Sequence, residues 1–130
     1  MKIFIRAGFM IVAAAMAPAP AAWAADQNIA VATSDMTQML GAIGHPDYAT
    51  FVEAATPEFK ASVDATKFGE QTKMIDSKIP LDQPYTVKFI TTQKVGAFLN
   101  YIFEVTLHNG DQVLTSLNLQ DGKVAGFHLL

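Results

Sequence analysis

The sequence predicts an α+β domain in which N-terminal helices pack on a curved antiparallel sheet of about four strands. Up to Pro84 the apolar residues recur at helical spacing, and from Tyr85 onward they alternate with a period of two. The dipeptides Asn109-Gly110 and Asp121-Gly122 separate the alternating runs, and both are turn formers that join antiparallel neighbours. A sheet built this way buries one face, and the preceding helices are the available cover.

Residues 1–24 have the three parts of a cleavable signal peptide. Lys2 and Arg6 supply positive charge, Ala7 to Ala17 is uncharged, and Ala22-Trp23-Ala24 places small residues at −3 and −1 of a cut after Ala24. The apolar run before Pro18 and Pro20 is about half of the roughly 20 residues that a membrane span needs. A lipoprotein anchor needs a cysteine, and the chain has none. The expected product is exported to the periplasm or the extracellular space, with no stable membrane anchor after cleavage.

Residues 25–33 lack a cap and a clear period, so a flexible lead-in is expected there, with a single domain over 34–130. Ser34 or Asp35 can cap a first helix carrying Met36, Met39, Leu40 and Ile43 on one face. Gly44 ends it and His45-Pro46 makes a corner. A second helix is expected from about Asp47, with Tyr48, Phe51, Val52 and Ala55 on a stripe. Thr56-Pro57-Glu58 restarts the helix with a capping hydroxyl, a proline at the first position and a favourable acid. Phe59 and Val63 continue its apolar face. The chain should bend or recap near Thr66, with Phe68, Met74, Ile75 and Ile79 forming a further apolar face. Pro80 and Pro84 close the helical half. Strands are expected over 85–90, 96–107, 112–120 and 123–130.

Without residues 1–24, 106 residues remain, enough for one modest core. They hold seven lysines, no arginine and twelve carboxylates, a formal charge of −5. Nucleic-acid binding needs clustered cations to displace phosphate counterions, so an arginine-free acidic domain is unsuited to it. The absence of cysteine leaves apolar packing to hold an exported domain together.

The helical stretch Asp47-Tyr48-Ala49-Thr50-Phe51-Val52, the Thr56-Pro57-Glu58-Phe59 restart and the closing run Leu117 to His128 carry a family likeness. In that run a hydrophobic strand is followed by Asp121-Gly122-Lys123, a small apolar residue and the pair Gly126-Phe127. Together they resemble the cystatin-like, or nuclear-transport-factor-2-like, α+β cone over residues 34–130. The resemblance implies helices wrapped on a curved meander. It does not imply one activity, because that superfamily includes ketosteroid isomerases, dehydratases and many non-catalytic binding or dimerising modules. The inhibitory Gln-Val-Val-Ala-Gly loop of cystatins has only a faint echo in Lys94-Val95-Gly96-Ala97.

No strong catalytic motif is present. Tyr101 alternates with Leu99, Phe103 and Val105, whereas Glu104 shares the opposite face with Asn100, Ile102 and Thr106, so the two cannot form one catalytic pair unless the sheet is sharply bulged. Glu104 is placed to pair across strands with Lys88. Asp47 reads as a helix cap and Tyr48 as a core aromatic. His45, His108 and His128 have no second ligand at helical or hairpin spacing, and Met36 and Met39 share the face of Leu40 and Ile43, so no metal or other cofactor is expected. The chain has neither a Gly-x-Ser-x-Gly elbow nor a phosphate-cradling glycine loop. A pocket between helices and sheet would draw on Tyr48, Phe51, Phe59, Tyr101, Phe103 and His128. The other sheet face mixes Ile90, Ile102 and Leu114 with Glu104, which suits a homodimer contact. The expected role is an exported, non-catalytic module for a small apolar ligand or a partner; the alternative is a cone-pocket isomerase or dehydratase.

Overall fold

The structure is a computed structural model that describes the backbone from Pro18 to Leu130 and the side chains of residues 28–130. Lys2, Arg6 and the stretch Ala7 to Ala17 lie outside the described residues, as do the side chains of Ala22-Trp23-Ala24. Packing divides the chain after Ala30, and Val31–Leu130 forms a compact unit of its own.

Helix α1 spans Pro18–Gly44, so residues 25–33 are helical and not a loose lead-in. The physical reason is visible afterwards: the segment has no glycine or proline, and Ala32 extends the stripe of Met36, Met39, Leu40 and Ile43 by one turn. All five are buried. The prolines that precede them sit in the first turn, where a missing amide costs no helical bond.

Helix α2 spans Tyr48–Phe51 and is capped by Asp47, whose carboxylate accepts from the Thr50 amide at 3.2 Å and the Thr50 hydroxyl at 2.8 Å. Helix α3 spans Pro57–Ser62 and starts as expected: Thr56 Oγ1 accepts from the Phe59 amide at 3.1 Å, and Pro57 takes the first position. Asp64, two residues before the expected recap, caps helix α4, which spans Ala65–Asp76. Phe68 and Thr72 face inward, and Ile75, seven residues after Phe68, shares their stripe. Met74 was expected on that face, but it lies about a third of a turn away and is 63% exposed.

Strands β1 (Thr86–Val95), β2 (Phe98–Thr106), β3 (Gln112–Gln120) and β4 (Lys123–Leu129) form one antiparallel sheet in the order β1-β2-β3-β4, with both ends open. The α+β class and four-stranded meander therefore stand as the sequence predicts. Two boundaries differ. The first strand runs on to Val95, and the residues expected to open the second form a two-residue turn, Gly96-Ala97, with Gly96 at φ +60°. Positive φ at the first central position only is the habit of a Gly-X hairpin turn. Asp121 and Gly122 both have positive φ, the two-residue turn their identities predict. At Asn109-Gly110 only the glycine does, because Leu107 and Asp111 pair around a three-residue loop. Extra residues at Ile90 in β1 and Ala125 in β4 shift the register, and such bulges bend a sheet.

The inner face carries Phe89, Tyr101, Phe103, Val105, Thr115, Leu117 and Phe127 in register. Met36 of α1 reaches it: the Thr115 hydroxyl lies 3.5 Å from the methionine sulfur while donating to the His128 carbonyl at 2.8 Å. The outer edge of β4 is held at one point. The Thr56 amide donates to the Val124 carbonyl and the Val124 amide to the Ala54 carbonyl, each at 2.8 Å, making a parallel bridge between Ala55 and Val124.

Candidate functional site

Two hollows flank the free end of β4. The first is a cleft of about 300 Å³ between helices and sheet, lined by Ile43, Phe51, Gln71, Met74, Ile75, Phe127 and Leu129. Alternation puts Phe127 and Leu129 on the inner face. The Asp47 cap and the Pro46 corner turn α2 so that Phe51 meets Phe127 edge-on at 5.6 Å. Phe51 also packs on Phe68 at 4.9 Å and Phe59 at 6.2 Å, so an aromatic cluster closes the inner end. Gln71 alone among the lining side chains is polar, and none is ionisable.

The second hollow is an open groove of about 350 Å³ lined by Phe59, Phe98, Asn118, Ala125, Gly126, Phe127 and His128. Asn118 and Asn100 face each other across β3 and β2, and the Asn118 side-chain Nδ2 donates to the Asn100 Oδ1. A Cβ at Gly126 would stand 2.6 Å from Asn118 Oδ1, so the glycine leaves the room that this carboxamide occupies.

The expected pocket residues therefore separate. Phe51 lines the cleft, whereas Phe59 and His128 line the groove. Tyr48 fastens a corner: its ring lies 5.8 Å from Phe68, and its hydroxyl donates to the Val63 carbonyl at 2.7 Å. Tyr101 and Phe103 are core residues that line neither hollow, with Phe103 edge-on to Phe89 at 5.7 Å. On the outer face, Ile90 and Leu114 are exposed and Ile102 and Glu104 half-buried, and Lys88 stands directly across from Glu104. Sequence reasoning missed Phe127, Leu129 and every other cleft residue except Phe51, and every groove residue except Phe59 and His128. The alternation of Phe127 with His128 and Leu129 was a usable signal for the first two.

Ionisable groups shifted from their ordinary values do not gather in either hollow. Burial pushes the Asp35 carboxyl up, and its Oδ2 is buried without a hydrogen-bond partner. Asp76 is also raised, by burial and then by the nearby Asp82 charge, against a smaller opposing pull from His45. Burial raises the phenols of Tyr85 and Tyr101. Asp47 is lowered by its bonds from Thr50. Among the described residues no group of three or more His, Cys, Asp or Glu side chains is arranged to hold a metal ion, and no helix is long and apolar enough to cross a membrane.

Asp35 yields a test with a definite sign. A carboxyl raised in the folded state keeps its proton there at pH values where the unfolded chain has lost it. Stability therefore falls as pH rises from the ordinary value of 3.8 through the raised one. Asp35→Ala removes the unpartnered oxygen and should stabilise the protein by about 1 kcal/mol at pH 7. The gain should shrink below pH 3.8. Thermal unfolding at pH 7 and pH 3 reads both; a gain equal at the two pH values would refute the electrostatic cause.

No family model and no curated protein matches the chain. Among solved structures it is similar to an uncharacterized cystatin fold protein from Novosphingobium aromaticivorans, at 14% identity over 79% of this chain and 97% of that one, with a TM-score of 0.40. It is also similar to a de novo designed protein with a curved β-sheet, at 13% identity over 79% and 84% of the two chains, with a TM-score of 0.42. The α+β class rests on this chain's own element order and strand register.

Proposed function

We propose that the chain is an exported, non-catalytic binding module that takes a small apolar ligand in the cleft between α4 and the inner face of the sheet. The lining carries this reading: six apolar side chains and one amide around about 300 Å³, the lower end of the range for small-molecule sites. Gln71 supplies a single orienting polar group. Met74 stands at the mouth, where its flexible thioether can adapt to an apolar guest. An isomerase or dehydratase needs an acid or base within hydrogen-bond reach of the bound substrate, and the cleft lining lends that alternative no support. The export part of the proposal is supported by the pattern of residues 1–24.

The protein recovered after expression of the full chain should bind the uncharged fluorophore N-phenyl-1-naphthylamine with a rise in its emission. Met74→Glu changes an exposed residue and puts a carboxylate at the mouth, so affinity should fall about tenfold, whereas Met74→Leu should retain it. Absence of binding, or equal binding by the glutamate variant, would refute the assignment of this cleft.

A further inference from the structure

The outer face of the sheet is more apolar than a solvated face needs to be. Among the described residues seven large apolar side chains are exposed, and five of them, Ile90, Val95, Phe98, Leu114 and Leu130, belong to this face. The register places them there: Val95 pairs with Phe98, Leu114 with Glu104, and the Leu130 amide donates to the Leu114 carbonyl at 2.8 Å. Ile90 is the extra residue of the β1 bulge, on the Lys88 side of the sheet. Their exposures run from 44% to 67%. The other two, Val31 and Met74, stand singly on helices. Single exposed aliphatics are ordinary, but five on one face form a patch.

We propose that this face is the contact by which two copies of the chain pair, face to face, across a two-fold axis. Size is the first support. Four strands of ten, nine, nine and seven residues, about 4.8 Å apart and rising about 3.4 Å per residue, make a face of roughly 570 Å². Two such faces bury about 1,100 Å², above the roughly 1,000 Å² that a specific interface needs.

Self-complementarity is the second support, and it favours a copy over a different protein. A two-fold contact sets the same patch against itself, so a patch of one charge repels its copy. This face carries Lys88 directly across from Glu104, with Lys123 at a corner, although the chain as a whole is acidic. Between the apolar group of Ile90, Ile102 and Leu114 and that of Val95 and Phe98 runs the Asn100–Asn118 pair. Carboxamides carry both donor and acceptor, so each can bond to its own equivalent.

Sedimentation equilibrium of the protein recovered from full-chain expression, from about 1 to 100 μM, tests this. The expected mass is that of a dimer. The double variant Ile90→Lys/Leu114→Lys alters two exposed positions, so it should keep the wild-type circular dichroism while its dimer constant weakens by about a hundredfold or more. Val31→Lys, which adds the same charge on α1, should leave the mass unchanged. A wild-type monomer over the whole range would overturn the proposal and leave the face to a different partner. A dimer that survives the double variant, or one that Val31→Lys disrupts equally, would overturn it too. Naphthylamine binding by the double variant reports on the cleft separately.

Discussion

Replacement of Phe103 by alanine should destabilise the protein by about 3–5 kcal/mol, the range for truncating a fully buried aromatic. Phe103 has no exposed surface and sits in a register row between Phe89 and Thr115, its ring edge-on to that of Phe89. Neither collapse nor cross-linking can absorb the loss, because strands on both sides fix the spacing and the chain contains no cysteine. Domains of this size hold about 5–15 kcal/mol in total, so the variant should be near its unfolding threshold at 37 °C. Urea unfolding followed by circular dichroism should show a much lower midpoint with an unchanged slope. Phe98→Ala, in the same strand but on the outer face, should cost well under half as much. Equal losses at the two positions would refute the assignment of inner and outer faces.

Gly44→Ala should be the other severe change, and the reason is not the one that the sequence suggests. A glycine at a helix end usually serves because it tolerates positive φ. Gly44 does not have positive φ. Its Cα instead faces the chain that returns from α4: a Cβ there would lie 2.3 Å from the Leu81 carbonyl oxygen and 2.7 Å from its carbon. Both are backbone atoms, and Leu81 is itself buried, so one segment must be displaced. Overpacking of this kind costs about 1–3 kcal/mol. Gly41 lies three residues earlier on the same helix, and a Cβ there meets nothing within 4 Å. Gly41→Ala should therefore stabilise by about 0.5–1 kcal/mol through helix propensity alone. One substitution with opposite signs one turn apart can be read from paired thermal melts. Two shifts of the same sign would show that the close approach to Leu81 is not what selects glycine at position 44.

The parts of the fold that were legible are those written in local chemistry. Asp47, Thr56-Pro57 and Asp121-Gly122 set their own backbone through a side-chain oxygen, a ring or a tolerance of positive φ, and each is found where its identity predicts. Alternation in β2 separated Tyr101 and Phe103 from Ile102 and Glu104 correctly, because successive strand residues must point apart. Features that depend on distant neighbours were not legible. Residues 25–33 have no cap to announce a helix, and Ala32 is recognisable as core only once the sheet lies against it. Gly96-Ala97 reads as the start of a strand unless the Gly-X turn is weighed against the β-branched run before it. The cleft was the hardest case. Ile43, Phe51, Ile75 and Phe127 come from four elements, and no periodicity within one element says which side chains will face the same empty space.

The bulges and the Ala55–Val124 bridge also bear on what happens when many copies are crowded together. An open sheet has two rims of unpaired amides and carbonyls, each a template on which another strand can grow into a fibre. On β1 the rim is interrupted at Ile90, where the extra residue breaks the repeat, and Lys88 and Lys94 would bring like charges together in a growing stack. On β4 the loop before α3 already occupies the template at Val124, and the Ala125 bulge next to it spoils the spacing further along. The devices that bend the sheet around its helices thus also keep its rims from propagating, whereas the proposed two-fold pair through the outer face would close on itself and stop.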